Sequence, residues 1–161
     1  MKLPRWAVPL VWTAIVLVIM ALLPWAVSLI GPRIGWGEGR PAAWNTVGLA
    51  VVAAGLAYYA WCLVFHYRTY DEAVDLGFDP PHLVVDGPYQ LSRNPMYVAG
   101  LSAWAGWTVY YGSPAVLIAL VLLWAAFTFR VIPTEERQLE ALFTDEYAAY
   151  KASVRRWLGR R

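Results

Sequence analysis

Residues 42–65, AAWNTVGLAVVAAGLAYYAWCLVF, run for 24 positions without one Asp, Glu, Lys or Arg. An α-helix rises 1.5 Å per residue, so about 20 apolar residues cross a hydrocarbon core of about 30 Å. This stretch predicts a transmembrane helix, and its neighbours repeat the pattern. Residues 6–30 form an uncharged run of similar length. Residues 95–129 form a third, broken near its middle by Tyr110-Tyr111-Gly112-Ser113-Pro114, a turn signal. That run predicts two short helices, over 95–110 and 114–130. The expected fold class is therefore an all-α integral membrane protein in a single domain over 1–161. It has about four transmembrane helices, the last two forming a short helical hairpin. Composition agrees, with 60% hydrophobic residues, 15% charged and ten Trp. The lipid bilayer is the expected partner, and nucleic acid is not.

Lys2 and Arg5 precede the first run in the manner of a signal peptide. The apolar run far exceeds a signal core of about 7–15 residues, and no Ala-x-Ala site closes it. It is expected to stay as a span. Cys62, the single cysteine, lies inside the second run and reads as a packing residue.

Charge sets the expected orientation. With four spans, the N-terminus, the middle loop and the C-terminus share one side. That side carries eleven of the thirteen basic residues, leaving only Arg33 and Arg40 opposite. Cytoplasmic loops carry the Lys and Arg excess, so both termini are expected in the cytoplasm. Ten of the eleven acidic residues lie on the same side, with Glu38 the exception.

The middle loop, residues 67–92, holds Asp71, Glu72, Asp75, Asp79, His82 and Asp86 among apolar residues. A loop this long is commonly functional, and Leu83, Val84 and Tyr89 give it surface to bury. After the fourth span, Pro133-Thr134-Glu135-Glu136 reads as a helix start, with Thr134 as N-cap and two carboxylates at the positive dipole end. Leu139, Leu142, Phe143, Tyr147, Tyr150 and Val154 follow at helical spacing, opposite Glu140, Asp145, Lys151 and Arg155. An amphipathic helix over 135–154 results. It either lies on the membrane surface or folds back over the middle loop.

The sharpest local pattern is Gly87-Pro88-Tyr89-Gln90-Leu91-Ser92-Arg93-Asn94-Pro95-Met96-Tyr97, where the loop re-enters the bilayer. Pro95 suits a first helical turn, whose unpaired N–H groups seat a carboxylate. Arg93 adds a carboxylate donor there. Singly, Arg93 also fits a snorkelling interfacial charge, and Tyr89 and Tyr97 an aromatic belt. His66 and His82 have no Cys partner and no ligand spacing, so no metal site is expected.

Taken together and in order, Gly-Pro-Tyr, Arg-Asn-Pro-x-Tyr, a helical hairpin and Glu135-Glu136 followed by Leu139, Phe143, Glu146-Tyr147 and Tyr150 resemble the isoprenylcysteine carboxyl methyltransferase family. The related phospholipid methyltransferases share much of the pattern. The resemblance covers about residues 66–157. It implies an enzyme that uses S-adenosyl-L-methionine as methyl donor in a cytoplasm-facing pocket. Cofactor contacts carry over to Pro81, His82, Leu83 and Val84, to Tyr89, to Asn94, Pro95, Met96 and Tyr97, and to the acidic pair Glu135 and Glu136. Aromatic faces near a sulfonium make chemical sense. Arg93, Arg68 and Arg130 are the candidate catalytic residues. The sequence departs from the eukaryotic members at Asn94, where they carry His, and at Val131, where they carry an Arg just before the acidic pair. Arg130 stands one residue earlier, and Arg68 is set against a second family Arg.

The expected reaction is methyl transfer to a lipophilic acceptor, either a small molecule or a lipidated substrate bearing a carboxylate, thiol or lipid amine. The alternatives are an NADPH-dependent membrane reductase of the sterol-reductase type and a non-catalytic membrane protein that keeps the fold.

Overall fold

A computed structural model describes residues 15–16, 18–69 and 82–160. Much of the run at 6–30, most of the acidic middle loop and the candidate residue Pro81 lie outside the described residues. The described chain is mostly helical. In chain order it contains α1 (Leu23–Val27), β1 (Trp36–Gly37), β2 (Arg40–Pro41), α2 (Ala43–Thr69), α3 (Pro95–Tyr111), α4 (Pro114–Ala126) and α5 (Ile132–Ser153). The antiparallel pair β1–β2 departs from the all-α expectation; it occupies the first connecting loop, with Gly37 facing Arg40.

Two helical runs, Ala43–His66 and the one starting at Pro114, are long and apolar enough to cross a membrane. Only 22% and 11% of their most apolar windows are buried within the protein. The core helix of a water-soluble domain would be mostly covered. Here Leu117, Ile118, Val121, Leu122 and Phe129 stand exposed instead, as lipid-facing side chains do.

The chain folds as two compact units. The first comprises Met1–Ala54 and Ser102–Val121. Small residues bring its backbones close together. A Cβ on Gly48 would collide with the Gly106 carbonyl, and one on Gly106 would meet the Val52 amide. Such close approach is how helices associate where lipid removes the hydrophobic drive between them. Its polar end is built on Asn45, fully buried, whose Nδ2 donates to the carbonyls of Ile34 (3.1 Å) and Val109 (3.0 Å). Trp36 Nε1 donates to the Tyr110 carbonyl at 2.9 Å. The Arg33 guanidinium lies 5.0 Å from the ring centres of both Trp36 and Tyr111. Gly112, at φ +55°, makes the turn between α3 and α4, pressed against the Ile34 carbonyl.

The second unit comprises Gly55–Leu101 and Leu122–Arg161 and holds the candidate site. Here one expectation is corrected. The fourth apolar run does not end before a separately capped helix. A π turn over Phe127–Val131 joins α4 to α5 without a break. Pro133 has no N–H for the carbonyl four residues back, and a widened turn just before it accommodates that loss. Thr134 is not an N-cap; its hydroxyl donates to the Arg130 carbonyl at 2.8 Å within the helix. The continuous rod bends later, at Phe143 (φ −127°, ψ 32°).

The amphipathic helix α5 turns part of its apolar face to Leu83 and Tyr89, at the described end of the loop. Tyr147, Tyr150 and Val154 are buried, with Leu83, Tyr89, Leu139 and Phe143 packed against them. Leu142 departs from the expected buried face and is 46% exposed.

Candidate functional site

The site starts from a short turn. Gly87–Gln90 form a 3-10 turn, and Tyr150 fixes its end by donating its hydroxyl to the Tyr89 carbonyl at 2.7 Å. Burial pushes the Tyr150 phenol up from its ordinary pKa, so it remains a donor at any physiological pH. The chain then turns through Ser92, Arg93 and Asn94 into α3 at Pro95. The Asn94 amide donates to Ser92 Oγ at 2.9 Å, which satisfies a backbone N–H ahead of the first helical turn.

Arg93 leaves this turn into a buried position. Its Nη2 lies 3.0 Å from Glu136 Oε1, with the two side chains 5% and 8% exposed. Glu136 is also held by Arg156, whose Nη2 approaches Oε2 at 2.5 Å and whose Nε donates to Oε1 at 3.3 Å. One buried carboxylate thus faces two guanidinium groups. Arg93 keeps two further donors, Nε and Nη1, that are buried and have no hydrogen-bond partner among the described residues. Unpaired buried donors are costly, and two on one guanidinium are unusual enough to call for an explanation.

Glu135 goes elsewhere. Successive helical residues point about 100° apart, and Glu135 receives the Tyr97 hydroxyl on Oε1 at 2.6 Å. Tyr97 packs on Phe127 with ring centres 4.5 Å apart. Burial pushes the Glu135 carboxyl up from its ordinary pKa, and the hydrogen bond from Tyr97 pulls it partly back. The motif therefore ties its two halves together twice, by Arg93 to Glu136 and by Tyr97 to Glu135.

The remaining candidates fall into three groups. Leu83, Val84, Met96 and Tyr89 are half-buried, while Pro95 is buried. His82 is exposed. Asn94 is 8% exposed, and its Nδ2 donates to the Arg156 carbonyl at 3.0 Å. Arg68, in the last turn of α2, and Arg130, in the π turn, are exposed at the surface, unlike Arg93. Sequence reasoning missed Arg156, Ser92 and the Tyr150 tether. Tyr150 reads in sequence as an apolar helix position and as part of the family pattern, and neither signals a tether to the Tyr89 carbonyl. Ser92 is a small polar residue in a turn, and Arg156 acts partly through a carbonyl that carries no residue signature.

Comparisons with known proteins agree with the resemblance read from the motif. The phospholipid methyltransferase family model matches residues 44–146. A probable protein-S-isoprenylcysteine O-methyltransferase of Oryza sativa subsp. indica is 33% identical over 111 residues, 67% of this chain and 57% of that protein. Protein-S-isoprenylcysteine O-methyltransferase B of Arabidopsis thaliana is 30% identical over 113 residues, 68% of this chain and 56% of that one. The cobalt-zinc-cadmium resistance protein CzcN of Cupriavidus metallidurans is 31% identical over 105 residues, covering 65% and 44%. The chain spans a little over half the length of the plant relatives. No solved structure matches it. With the family model running from α2 into α5, and with Arg93 paired to Glu136 and Tyr97 to Glu135, the chain belongs to the phospholipid methyltransferase family and is isoprenylcysteine-carboxyl-methyltransferase-like.

Proposed function

We propose that the protein is a multi-pass membrane methyltransferase that uses S-adenosyl-L-methionine and acts on a lipophilic acceptor at the cytoplasmic face. In this reading the chain crosses the bilayer about four times, over 6–30, 42–65, 95–110 and 114–130, with both termini cytoplasmic. The observation that carries it is Arg93, whose side chain is only 5% exposed yet holds two donors without a partner among the described residues, beside an acidic pair.

The residues fit the cofactor's chemistry. Its carboxylate suits the open Nε and Nη1 of Arg93. Its ribose hydroxyls or ammonium suit Glu135, whose Oε1 already takes Tyr97 while Oε2 makes no hydrogen bond among the described residues. Tyr97 and Tyr89 supply aromatic faces for the sulfonium. Leu83, Val84, Asn94, Pro95 and Met96 would line the same pocket, with Pro81 and His82 before them.

When bound, the cofactor supplies a methyl group on a positive sulfur, open to in-line displacement by the acceptor. The chain's task is then chiefly alignment, which contributes several kcal/mol of barrier lowering, of about 7–11 kcal/mol attainable from ideal proximity. A carboxylate or thiolate acceptor needs no general base. Arg68 and Arg130, exposed at the ends of apolar helices, would meet an anionic acceptor head while its tail stays in lipid.

Calorimetry in detergent with S-adenosylmethionine, S-adenosylhomocysteine and NADPH tests the reading. Binding of the first two and not the third is expected. Binding of NADPH alone supports the reductase, and binding of none supports a non-catalytic relative.

A further inference from the structure

The residues after α5 form a structured segment of their own. After α5, Val154 bridges to Arg160, and the Arg155 N–H donates to the Gly159 carbonyl at 2.9 Å, closing a tight loop. Gly159, at φ +96°, makes the reversal in a conformation few other residues adopt. This loop pairs with the motif turn along its backbone. The Arg93 N–H donates to the Arg155 carbonyl at 3.1 Å, and the Gly159 N–H donates to the Leu91 carbonyl at 2.8 Å. The Arg156 carbonyl receives both Ser92 Oγ (3.1 Å) and Asn94 Nδ2 (3.0 Å). Arg160 reaches Gln90 Oε1 at 3.0 Å.

We propose that this C-terminal strap positions the cofactor site, with Arg156 as its key positioning residue. Arg156 acts from both ends. Its carbonyl fixes Ser92 and Asn94 on either side of Arg93, and its guanidinium holds Glu136, the partner of Arg93. It joins the Arg-Asn-Pro turn and the acidic pair through separate atoms. The strap lies beyond the family match, which ends at residue 146. Asn94 is accordingly a brace for the turn through its Nδ2, with Arg93 as the group presented to the ligand.

The inference rests on the proposed cofactor site, and the experiment separates the two. Full-length wild type, Arg156→Met and Arg156→Lys are purified in detergent, together with a chain ending at Ser153. Each is measured for S-adenosylmethionine affinity, thermal unfolding and amide hydrogen exchange of residues 90–97. Arg156→Met is expected to raise the Kd at least tenfold and to speed exchange over 90–97. Its unfolding temperature should move little, because the Arg156 side chain is 33% exposed. Both variants keep the main-chain carbonyl, and Lys also keeps a charge for Glu136, so Arg156→Lys should recover most of the affinity. The shortened chain should lose exchange protection at Arg93 even if it unfolds early. Wild-type affinity in Arg156→Met overturns the strap while leaving the cofactor site intact. Unchanged exchange in the shortened chain overturns it as well. A wild type that binds no S-adenosylmethionine removes both.

Discussion

Arg93 and Glu136 meet at 3.0 Å with side chains 5% and 8% exposed, which makes them a buried ion pair between the turn before α3 and the N-terminal part of α5. Removing one member of such a pair strands the other's charge away from water. The cost is about 3–5 kcal/mol, against at most about 1 kcal/mol for an exposed pair. Lys151–Glu140, with side chains 36% and 45% exposed, is the internal comparison. Glu136→Ala should lower the unfolding temperature sharply in detergent, whereas Glu140→Ala should leave it nearly unchanged. Equal effects would mean that the buried pair is solvated.

The close packing of the first unit sets a second expectation. A side chain at Gly48 must displace the Gly106 carbonyl and the Tyr110 backbone, neither of which can rotate aside. Gly48→Val should destabilise by about 1–3 kcal/mol or more, the usual cost of overpacking. Gly37→Ala is the control, since nothing lies within 4 Å of its added carbon. Thermal unfolding of both in one detergent decides whether the helices approach this closely.

Glu135 gives a pH dependence with a definite sign. Burial raises its pKa above the ordinary carboxylate value near 4.5, and the Tyr97 hydrogen bond opposes that rise. If the ionised form binds cofactor, affinity falls as pH drops through this raised value, earlier than for an exposed carboxylate. Tyr97→Phe removes the opposing hydrogen bond, so the midpoint should move to still higher pH. Calorimetric Kd values from about pH 4.5 to 7.5 test this. A midpoint that moves down would sever Glu135 from the binding step.

Much of this arrangement was legible in the sequence because it is written in side-chain type. Uncharged runs identified α2, α3 and α4, since a long stretch without Asp, Glu, Lys or Arg is the mark of an apolar helix. The motif order brought Arg93, Tyr97, Glu135 and Glu136 together in advance. The division of labour between the two glutamates was not legible, because it depends on which face of α5 each occupies. Thr134 misled, since a hydroxyl before two carboxylates signals a cap equally well when the helix is already running. Arg156 was invisible because half of what it does is done by its carbonyl.

Orientation is tested by labelling. In a Cys62→Ala background, Arg160→Cys should react with a membrane-impermeant maleimide only after cells are opened, and Glu38→Cys should react in intact cells. The expectation rests on eleven basic residues against two. Labelling of position 160 in intact cells would reverse the topology and move the proposed cofactor site to the wrong face.

Arg93→Lys separates a structural charge from a shaped donor. A lysine ammonium can still reach Glu136, so the ion pair, and with it most of the stability, should survive. What it cannot reproduce is the planar fork, whose Nε and Nη1 stand unpartnered while Nη2 is engaged. If those donors receive the cofactor's carboxylate, Arg93→Lys should weaken S-adenosylmethionine binding and lower methyl transfer at least tenfold, a change of about 1.4 kcal/mol. The unfolding temperature should change far less than in Glu136→Ala. Turnover of labelled S-adenosylmethionine over a panel of lipophilic acids, thiols and amines gives the rate, and thermal unfolding in the same detergent gives the stability. A joint fall in both would make Arg93 a structural brace. Unchanged turnover would return it to an ordinary interfacial charge, and the cofactor site would then rest on Tyr97 and Glu135.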